Sequence, residues 1–238
     1  MTSRTRMNSI DSSDVIFEDN HLIVVNKKAT ELVQGDNTGD VPLLEKVRDY
    51  LKIKYQKPGN VFVGLPHRLD RPTSGVVVFA KTSKALSRMN TVFRERAVKK
   101  TYWAVVKNKP QENSDTLVNY LKKSQEKNKS YIEKNDKNGA KYADLTYEVL
   151  VSSDKYHLLE VNPNTGRHHQ IRLQLSGIKS PIKGDLKYGF DRSNKDGSIH
   201  LHARKIEFIH PVQKERVCFT APVPNEQLWN VFRKLTGG

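Results

Sequence analysis

One carboxylate stands between two arginines in residues 67–75, whose sequence is HRLDRPTSG. A neighbouring guanidinium favours the ionised form of a carboxylate. We therefore expect Asp70 to be charged at neutral pH and available as a nucleophile or base. Arg68 and Arg71 supply the guanidinium groups, and the turn residues Pro, Thr, Ser and Gly follow them. The alternative is a turn in which Asp70 only caps backbone amides.

A second cluster lies at residues 164–172, with the sequence NTGRHHQIR. Its turn brings backbone amides together with Arg167 and Arg172, a combination suited to a phosphate or to a paired carboxylate. An ordinary helix start with solvated arginines is the alternative.

Metal and nucleotide chemistry receive little support from the sequence. Several histidines occur in the second half of the chain, namely His168, His169, His200, His202 and His210. However, no Cys-x-x-Cys or His-Glu-x-x-His pattern accompanies them. No Walker loop and no Gly-x-Gly-x-x-Gly turn is present either, so we expect no metal and no nucleotide cofactor. Cys218, the one cysteine, lies in an alternating segment and is predicted to be a buried structural thiol.

The composition indicates a globular protein with a polyanionic partner. Hydrophobic residues make up 36% of the 238 residues. The chain has 41 Lys and Arg and 26 Asp and Glu, which gives a net charge of +15. Nucleic acid is the usual partner of such a chain, although a merely soluble basic surface is the alternative. A single cysteine, a polar N-terminal segment and the lack of a membrane-length apolar run predict a cytoplasmic protein without membrane association.

The elements that must position these clusters follow from hydrophobic periodicity. The Asp70 turn leads directly into an apolar strand, and Tyr102 lies near the start of a later one. Helix and strand compete over residues 168–175, where alternation conflicts with a preceding turn and a trailing glycine. The other predicted elements are strands at 15–17, 22–26, 76–80, 99–106, 142–151, 157–161, 200–209 and 217–219, and helices at 41–54, after Thr82 or Ser83, and at 225–235.

These elements predict an α+β fold with a largely antiparallel mixed sheet, flanked by helices, and a site in a basic cleft across it. Residues 1–13 read as a flexible tail, and 14–238 as one catalytic domain without an internal linker. The lysine-rich residues 107–141 are interpreted as loops and ribbons that either contact RNA or are simply solvated.

Together, these residues resemble the RluA family of pseudouridine synthases. Residues 67–75 are similar to the signature that carries the family's catalytic aspartate, and residues 100–102 to the segment with its active-site tyrosine. Residues 165–172 are similar to its third motif. The Asn-Lys-Pro-x-Gly that is usual near the N-terminus reads NKKAT at 26–30, which leaves the shape of that loop open. We expect no S4-type RNA-binding module, which some members carry, before the core.

The resemblance implies a catalytic set of Asp70, Tyr102 and Arg172. Asp70 would act on a uridine flipped out of the RNA, either covalently or by assisting glycosidic cleavage. Arg172 would hold Asp70 ionised, and Arg68 would fill the vacated stack. Tyr102 would either stack on the uracil and transfer a proton, or serve only in packing. The remaining residues would position the site or contact RNA, namely His67, Arg71 and Arg167.

The expected function is therefore isomerisation of specific uridines in structured ribosomal or transfer RNA by a monomer that needs no cofactor. Two other classes are compatible with a basic chain. One is a noncatalytic RNA-binding protein on the same scaffold, and the other is a metal-dependent nuclease. The nuclease would shorten RNA, whereas pseudouridine formation changes neither its length nor its mass.

Overall fold

The computed structural model describes residues 9–36 and 38–237. The chain divides into two compact units. The first unit comprises the described part of Met1–Val98 together with Lys205–Pro222, and the second comprises Lys99–Arg204 with the described part of Val223–Gly238. The long strand β9, Leu201–Ile209, contributes residues to both units.

The first unit is built on antiparallel strands and two helices. The elements are β1 Val15–Glu18, β2 Leu22–Lys27, α1 Leu43–Lys54, β3 Ser74–Ala80, α2 Ser83–Arg94 and β10 Arg216–Thr220. Strand β2 pairs with β1 on one side and with β3 on the other, and β10 pairs with β9. Thr82 caps α2, because its Oγ1 accepts the N–H of Ala85 at 3.1 Å.

Apolar packing holds β3 and therefore the loop that precedes it. All seven residues of Ser74–Ala80 are buried, as expected for a strand covered on both faces. Val77 and Phe79 pack with Ile23 and Val25 of β2 against Val47 and its neighbours on α1. Each fully buried side chain of this size contributes about 2 kcal/mol, so the start of β3 is a firm support for the Asp70 loop.

The second unit is built on an antiparallel sheet and two helices. The elements are β4 Val98–Val106, β5 Ser114–Ser124, β6 Lys129–Glu133, β7 Lys141–Ser152, β8 His157–Pro163, α3 Gln170–Gly177 and α4 Gln227–Leu235. The strand order is β4-β8-β7-β5-β6. Strands β5 and β6 form a hairpin inside the lysine-rich segment, which is therefore a folded ribbon. Helix α4 packs Trp229 and Phe232 against Trp103 and Val105 of β4.

The segment in which helix and strand competed is helical. Six consecutive residues of α3, from Gln170 to Leu175, are buried. A helix that is enclosed on all sides lacks the amphipathic stripe by which sequence patterns reveal helices. The alternation of Ile171, Leu173 and Leu175 is therefore no sign of a strand.

The prediction of an α+β fold with a largely antiparallel sheet and flanking helices is confirmed. All strand pairs with a described register are antiparallel. The prediction of one catalytic domain over 14–238 stays a prediction.

Two details of the sequence analysis differ from the structure. The predicted tail lies partly outside the described residues, but Ile10 is buried in the core of the first unit and Ser12–Asp14 form a 3₁₀ turn. Cys218 is exposed, so its interpretation as a buried thiol is wrong. The strand itself is correct, but its buried face carries Phe219, and the alternation of a strand then turns Cys218 to solvent.

Among residues 9–36 and 38–237, no helix has both the length and the apolar character needed to cross a membrane. The cytoplasmic location stays a prediction.

Candidate active site

Asp70 lies half-buried in the loop that leads into β3. The N–H of Thr73 donates to the carbonyl oxygen of Asp70 at 3.0 Å, which closes a tight turn around the carboxylate-bearing residue. Thr73 and Ser74 are buried directly behind it. The turn is thus anchored at the strand, while the carboxylate-bearing residue stays partly accessible.

A buried lysine fastens this loop to the end of β2. Lys27 is 1% exposed, and its ammonium group donates to the carbonyl oxygens of Lys28, Glu31 and Arg71 at 2.9, 2.8 and 3.1 Å. Burial lowers the pKa of Lys27 to about 7, and the carboxylates of Glu31 and Asp70 oppose that shift. One side chain therefore joins the residue next to Asp70 to the loop that follows β2.

In the loop after β2, a threonine adopts a backbone conformation that usually requires glycine. Thr30 lies in the left-handed region at φ 70°, at the position of the Gly in the family pattern. Its N–H donates to the carbonyl oxygen of Arg71 at 2.8 Å, and the Nε of Arg71 donates to the carbonyl oxygen of Thr30 at 3.1 Å. These reciprocal bonds hold a β-branched residue in a conformation that it rarely adopts.

The flanking residues of the motif divide into an exposed and a packed group. Arg68 is exposed and donates from Nη1 to the Oε1 of Gln34 at 3.3 Å. His67 accepts the N–H of Val78 at Nε2, 2.9 Å away, and its ring stacks on Phe93 at 4.7 Å between centroids. His67 is thus packed against β3 and α2, whereas Arg68 is exposed.

Arg172, in the second unit, is held by a buried carboxylate. Its Nε and Nη2 donate to Oδ2 and Oδ1 of Asp185 at 2.7 and 2.8 Å, and the two side chains are 5% and 1% exposed. The guanidinium carbon also lies 5.1 Å from the ring centroid of Tyr188. Bidentate pairing fixes the plane of the guanidinium, and the aromatic ring supports its face.

The turn before α3 is held by a network around Tyr188. His169 has a left-handed backbone at φ 54°. Its Nδ1 lies 2.9 Å from the hydroxyl of Tyr188, and that hydroxyl accepts the N–H of Ser130 at 2.8 Å. Burial and the Arg172 guanidinium lower the pKa of His169 to about 2, so His169 is neutral.

Gln170 ties the rest of the second cluster together. Its Oε1 accepts from the hydroxyl of Thr165 at 2.7 Å and from the N–H of Arg167 at 3.0 Å. The Nε of Arg167 donates to the carbonyl oxygen of Tyr142 at 2.9 Å, which fastens this arginine to β7. The cluster is thus a built turn rather than a helix start with loosely solvated arginines.

Tyr102 lies half-buried near the middle of β4. It pairs with Val161 of β8 and packs against the core that contains Ile171 and Leu175 of α3. Next to it, the hydroxyl of Thr101 donates to the Oδ1 of Asn162 at 2.9 Å. The sheet, rather than a loop, therefore sets the position of the tyrosine.

The residues of the expected site occur in both units. The first unit brings together His67, Arg68, Asp70 and Arg71, and the second carries Tyr102, Arg167 and Arg172. Sequence reasoning assigned no role to Lys27, Asp185 or Tyr188. The signal for Lys27 was a lysine at the end of the otherwise apolar strand LIVVNK, but nothing local marks Asp185 as the partner of an arginine 13 residues away.

The comparison with protein families is decisive. The model described as RNA pseudouridylate synthase matches residues 21–177, which is more than half of the chain. The chain belongs to the RNA pseudouridylate synthase family. The resemblance to the RluA type is confirmed, and this member of the family is an isomerase that acts on RNA.

Curated relatives of the synthase agree with this assignment. Ribosomal large subunit pseudouridine synthase C of Buchnera aphidicola (Baizongia pistaciae) is 32% identical over 92% of this chain and 70% of its own. The tRNA pseudouridine synthase C of Vibrio parahaemolyticus is 31% identical over 92% of this chain and 94% of its own.

Solved structures support the fold of the synthase. Human RNA Pseudouridylate Synthase Domain Containing 4 superposes with a TM-score of 0.79 at 24% identity, over 96% of this chain and 95% of that one. Human RNA Pseudouridylate Synthase Domain Containing 1 gives 0.67 at 22% identity, over 97% and 98%.

Family membership removes the metal-dependent nuclease as an alternative for this synthase. Within the described residues, no group of three or more His, Cys, Asp or Glu side chains is arranged to hold a metal ion.

Proposed function

We propose that this synthase isomerises specific uridines in structured ribosomal or transfer RNA, with Asp70 as the catalytic carboxylate. The named relatives that act on the ribosomal large subunit and on tRNA support these two substrate classes. The observation that carries the assignment of Asp70 is the construction of its loop. Lys27, Thr30 and Thr73 all bond to the backbone of Asp70 or of its neighbour Arg71.

This construction suits a catalytic group better than a cap. A residue that only caps a turn needs no buried cation behind it, whereas Lys27 is buried and bonds to the neighbour of Asp70. Support of this kind is typical of loops in which a side chain must be held in one position for chemistry. The loop thereby supplies a preorganised carboxylate.

The chemistry requires the target base to leave the RNA stack. Isomerisation breaks the N-glycosidic bond, rotates the uracil and joins it again through C5, so no oxidant or energy source is consumed. Flipping the nucleotide costs a few kcal/mol of stacking. Arg68, exposed beside Asp70, is proposed to offset this cost by stacking its flat cation on the neighbouring bases.

The other residues are proposed to orient the reacting groups. Tyr102 stacks on the extruded uracil and transfers a proton, and Arg172 holds Asp70 ionised in the working enzyme. Arg71 and His67 position the Asp70 loop, and Arg167 contacts RNA. We further propose that the synthase works without a cofactor, as a monomer, in the cytoplasm. Light scattering of the purified protein measures its molar mass and so tests whether it is a monomer.

Asp70→Asn tests the proposal. This variant should bind RNA as tightly as the wild type but form no pseudouridine in ribosomal or transfer RNA, because an amide can neither attack nor accept a proton. Asp154→Asn makes the same charge change at an exposed turn and should keep full activity. Pseudouridine formation by Asp70→Asn at the wild-type rate would refute the assignment of Asp70.

Mapping pseudouridines across total RNA, with and without the gene, decides between the substrate classes. Pseudouridines that are lost from ribosomal RNA or from transfer RNA when the gene is absent identify the target. If no site disappears from either class and the pure enzyme modifies neither, the proposed substrates are wrong.

A further inference from the structure

Three tyrosines share the outward face of the hairpin sheet in the second unit. Tyr120 on β5 pairs directly with Tyr142 on β7, and Tyr131 on β6 pairs with Lys122 on β5. Because directly paired residues of antiparallel strands project to the same side, all of these side chains lie on one face. We call Tyr120, Tyr131 and Tyr142 the tyrosine face.

The rings of the tyrosine face are available to a ligand. Tyr131 and Tyr142 are 39% and 42% exposed, and Tyr120 is half-buried, with its ring 6.2 Å from that of Tyr142 in an edge-on arrangement. The opposite side of the same strands is packed by buried residues, namely Leu117, Leu121, Ala143 and Leu145. The core of this sheet is therefore complete without the tyrosines.

Cations border these rings. The Nζ of Lys129 lies 5.8 Å from the ring centroid of Tyr131 and 5.3 Å from that of the buried Tyr188, and Lys122 stands directly across from Tyr131. Arg167 is fastened to the backbone of Tyr142 by its Nε. Two carboxylates also lie on this face, Glu133 opposite Tyr120 and Asp144, whose Oδ2 accepts from the side-chain amide of Asn164 at 2.7 Å.

We propose that the tyrosine face binds unpaired nucleotides of the RNA substrate. The bases stack on the tyrosine rings, and Lys122, Lys129 and Arg167 contact the phosphates that join them. This inference rests on the proposed function only in taking RNA as the ligand. Rigid rings with cations beside them are what a single strand requires, because every base offers a π-face and every linkage a negative charge.

The competing explanation is that the tyrosines only stabilise the sheet through cross-strand pairing. Binding to a single strand distinguishes the two. The probe is a short oligoadenylate, which contains no uridine and so cannot be turned over. A strand of the same length without bases offers the same phosphates, so the difference in affinity between the two probes measures stacking.

Tyr131→Ala/Tyr142→Ala should raise the Kd for oligoadenylate about tenfold or more, since stacking on an aromatic ring is worth roughly 1–3 kcal/mol per base. Its Kd for the strand without bases should not change. Tyr131→Phe/Tyr142→Phe keeps both rings and should restore tight binding. Lys122→Ala/Lys129→Ala should weaken the binding of both probes. It should also reduce the magnitude of the slope of log K against log salt by roughly 0.7 per lysine.

Val118→Ala alters the same face without removing a ring and serves as the matched control, and urea unfolding reports any loss of stability. The inference fails if Tyr131→Ala/Tyr142→Ala binds oligoadenylate like the wild type. It also fails if this variant loses equal affinity for oligoadenylate and for the strand without bases. Its failure is separate from that of the proposed function, because oligoadenylate binding does not depend on pseudouridine formation by the wild-type enzyme.

Discussion

Arg172 and Asp185 form a buried two-point ion pair. The pair uses the Nε–Nη2 edge of the guanidinium, at 2.7 and 2.8 Å. This leaves Nη1 on the edge that faces away from Asp185. Tyr188 supports the guanidinium face at 5.1 Å from its ring centroid. Asp185 is therefore expected to act as a positioning residue for Arg172.

Asp185→Asn should destabilise the second unit and lower activity. The amide keeps the shape of the side chain but leaves the charge of Arg172 buried without its carboxylate, which costs roughly 3–5 kcal/mol of unfolding free energy. Urea denaturation measures this loss. Asp191→Asn is the matched control, because it removes the carboxylate of an exposed pair with Lys107 and should cost less than about 1 kcal/mol.

Arg172→Met/Asp185→Leu separates stability from positioning. Replacing both partners of a buried ion pair by apolar side chains is often neutral or stabilising, so this variant should recover most of the lost stability. It should not recover pseudouridine formation. Recovery of activity together with stability would show that the pair has a purely structural role.

Tyr102 is expected to supply both a ring and a hydroxyl. Tyr102→Phe should retain RNA affinity but lose about a hundredfold in kcat, within the range for removing a proton-transfer group. Tyr102→Ala should in addition weaken RNA binding about tenfold through lost stacking. Single-turnover kinetics and binding separate these effects, and Tyr156→Phe controls for the loss of a phenolic hydroxyl elsewhere in the second unit. An unchanged kcat in Tyr102→Phe would restrict the residue to stacking.

Thr30→Gly should stabilise the enzyme. Thr30 has φ 70°, a region that costs a residue with a Cβ roughly 1–2 kcal/mol and glycine little. Part of the gain is offset by the greater freedom of glycine in the unfolded chain, so we expect about 1 kcal/mol from thermal or urea unfolding. Thr91→Gly, in the interior of α2, should instead destabilise. A loss of stability in Thr30→Gly would mean that the loop contains no strain at this residue.

Lys27 should make stability depend on pH. Its pKa is lowered from 10.5 to about 7 in the folded protein. Between these values the unfolded chain binds more protons at this residue than the folded one, so the free energy of unfolding rises with pH across that window. Below pH 7 both states are protonated and the contribution is constant.

Comparison with Lys27→Met isolates this effect. The difference in unfolding free energy between the wild type and Lys27→Met should grow by about 1 kcal/mol per pH unit between roughly pH 7 and 10. Lys52→Met removes an exposed lysine of α1 and controls for the change in net charge. Parallel curves would show that the three carbonyl acceptors keep Lys27 charged throughout.

Local sequence patterns were sufficient to predict most of the helices and strands and to indicate the family. The apolar run that became β3, the cap at Thr82 and the helix at 43–54 each depend on neighbours in sequence, so their types and spacing carry the information. The resemblance of the HRLDRPTSG segment to a family signature likewise indicated the family without any structure, and the family match bears this out.

Only the tertiary structure decided which residues contact the side chains of these motifs and which faces of the helices and strands are buried. The helix α3 is buried on every side and so shows no helical stripe, and Cys218 points to solvent because packing selects which face of β10 is covered. Lys27, Thr30 and Asp185 act through residues that are distant in sequence or through backbone shape. A periodicity records which residues are buried, but not which atoms meet, and hydrogen bonds and ion pairs depend on the latter.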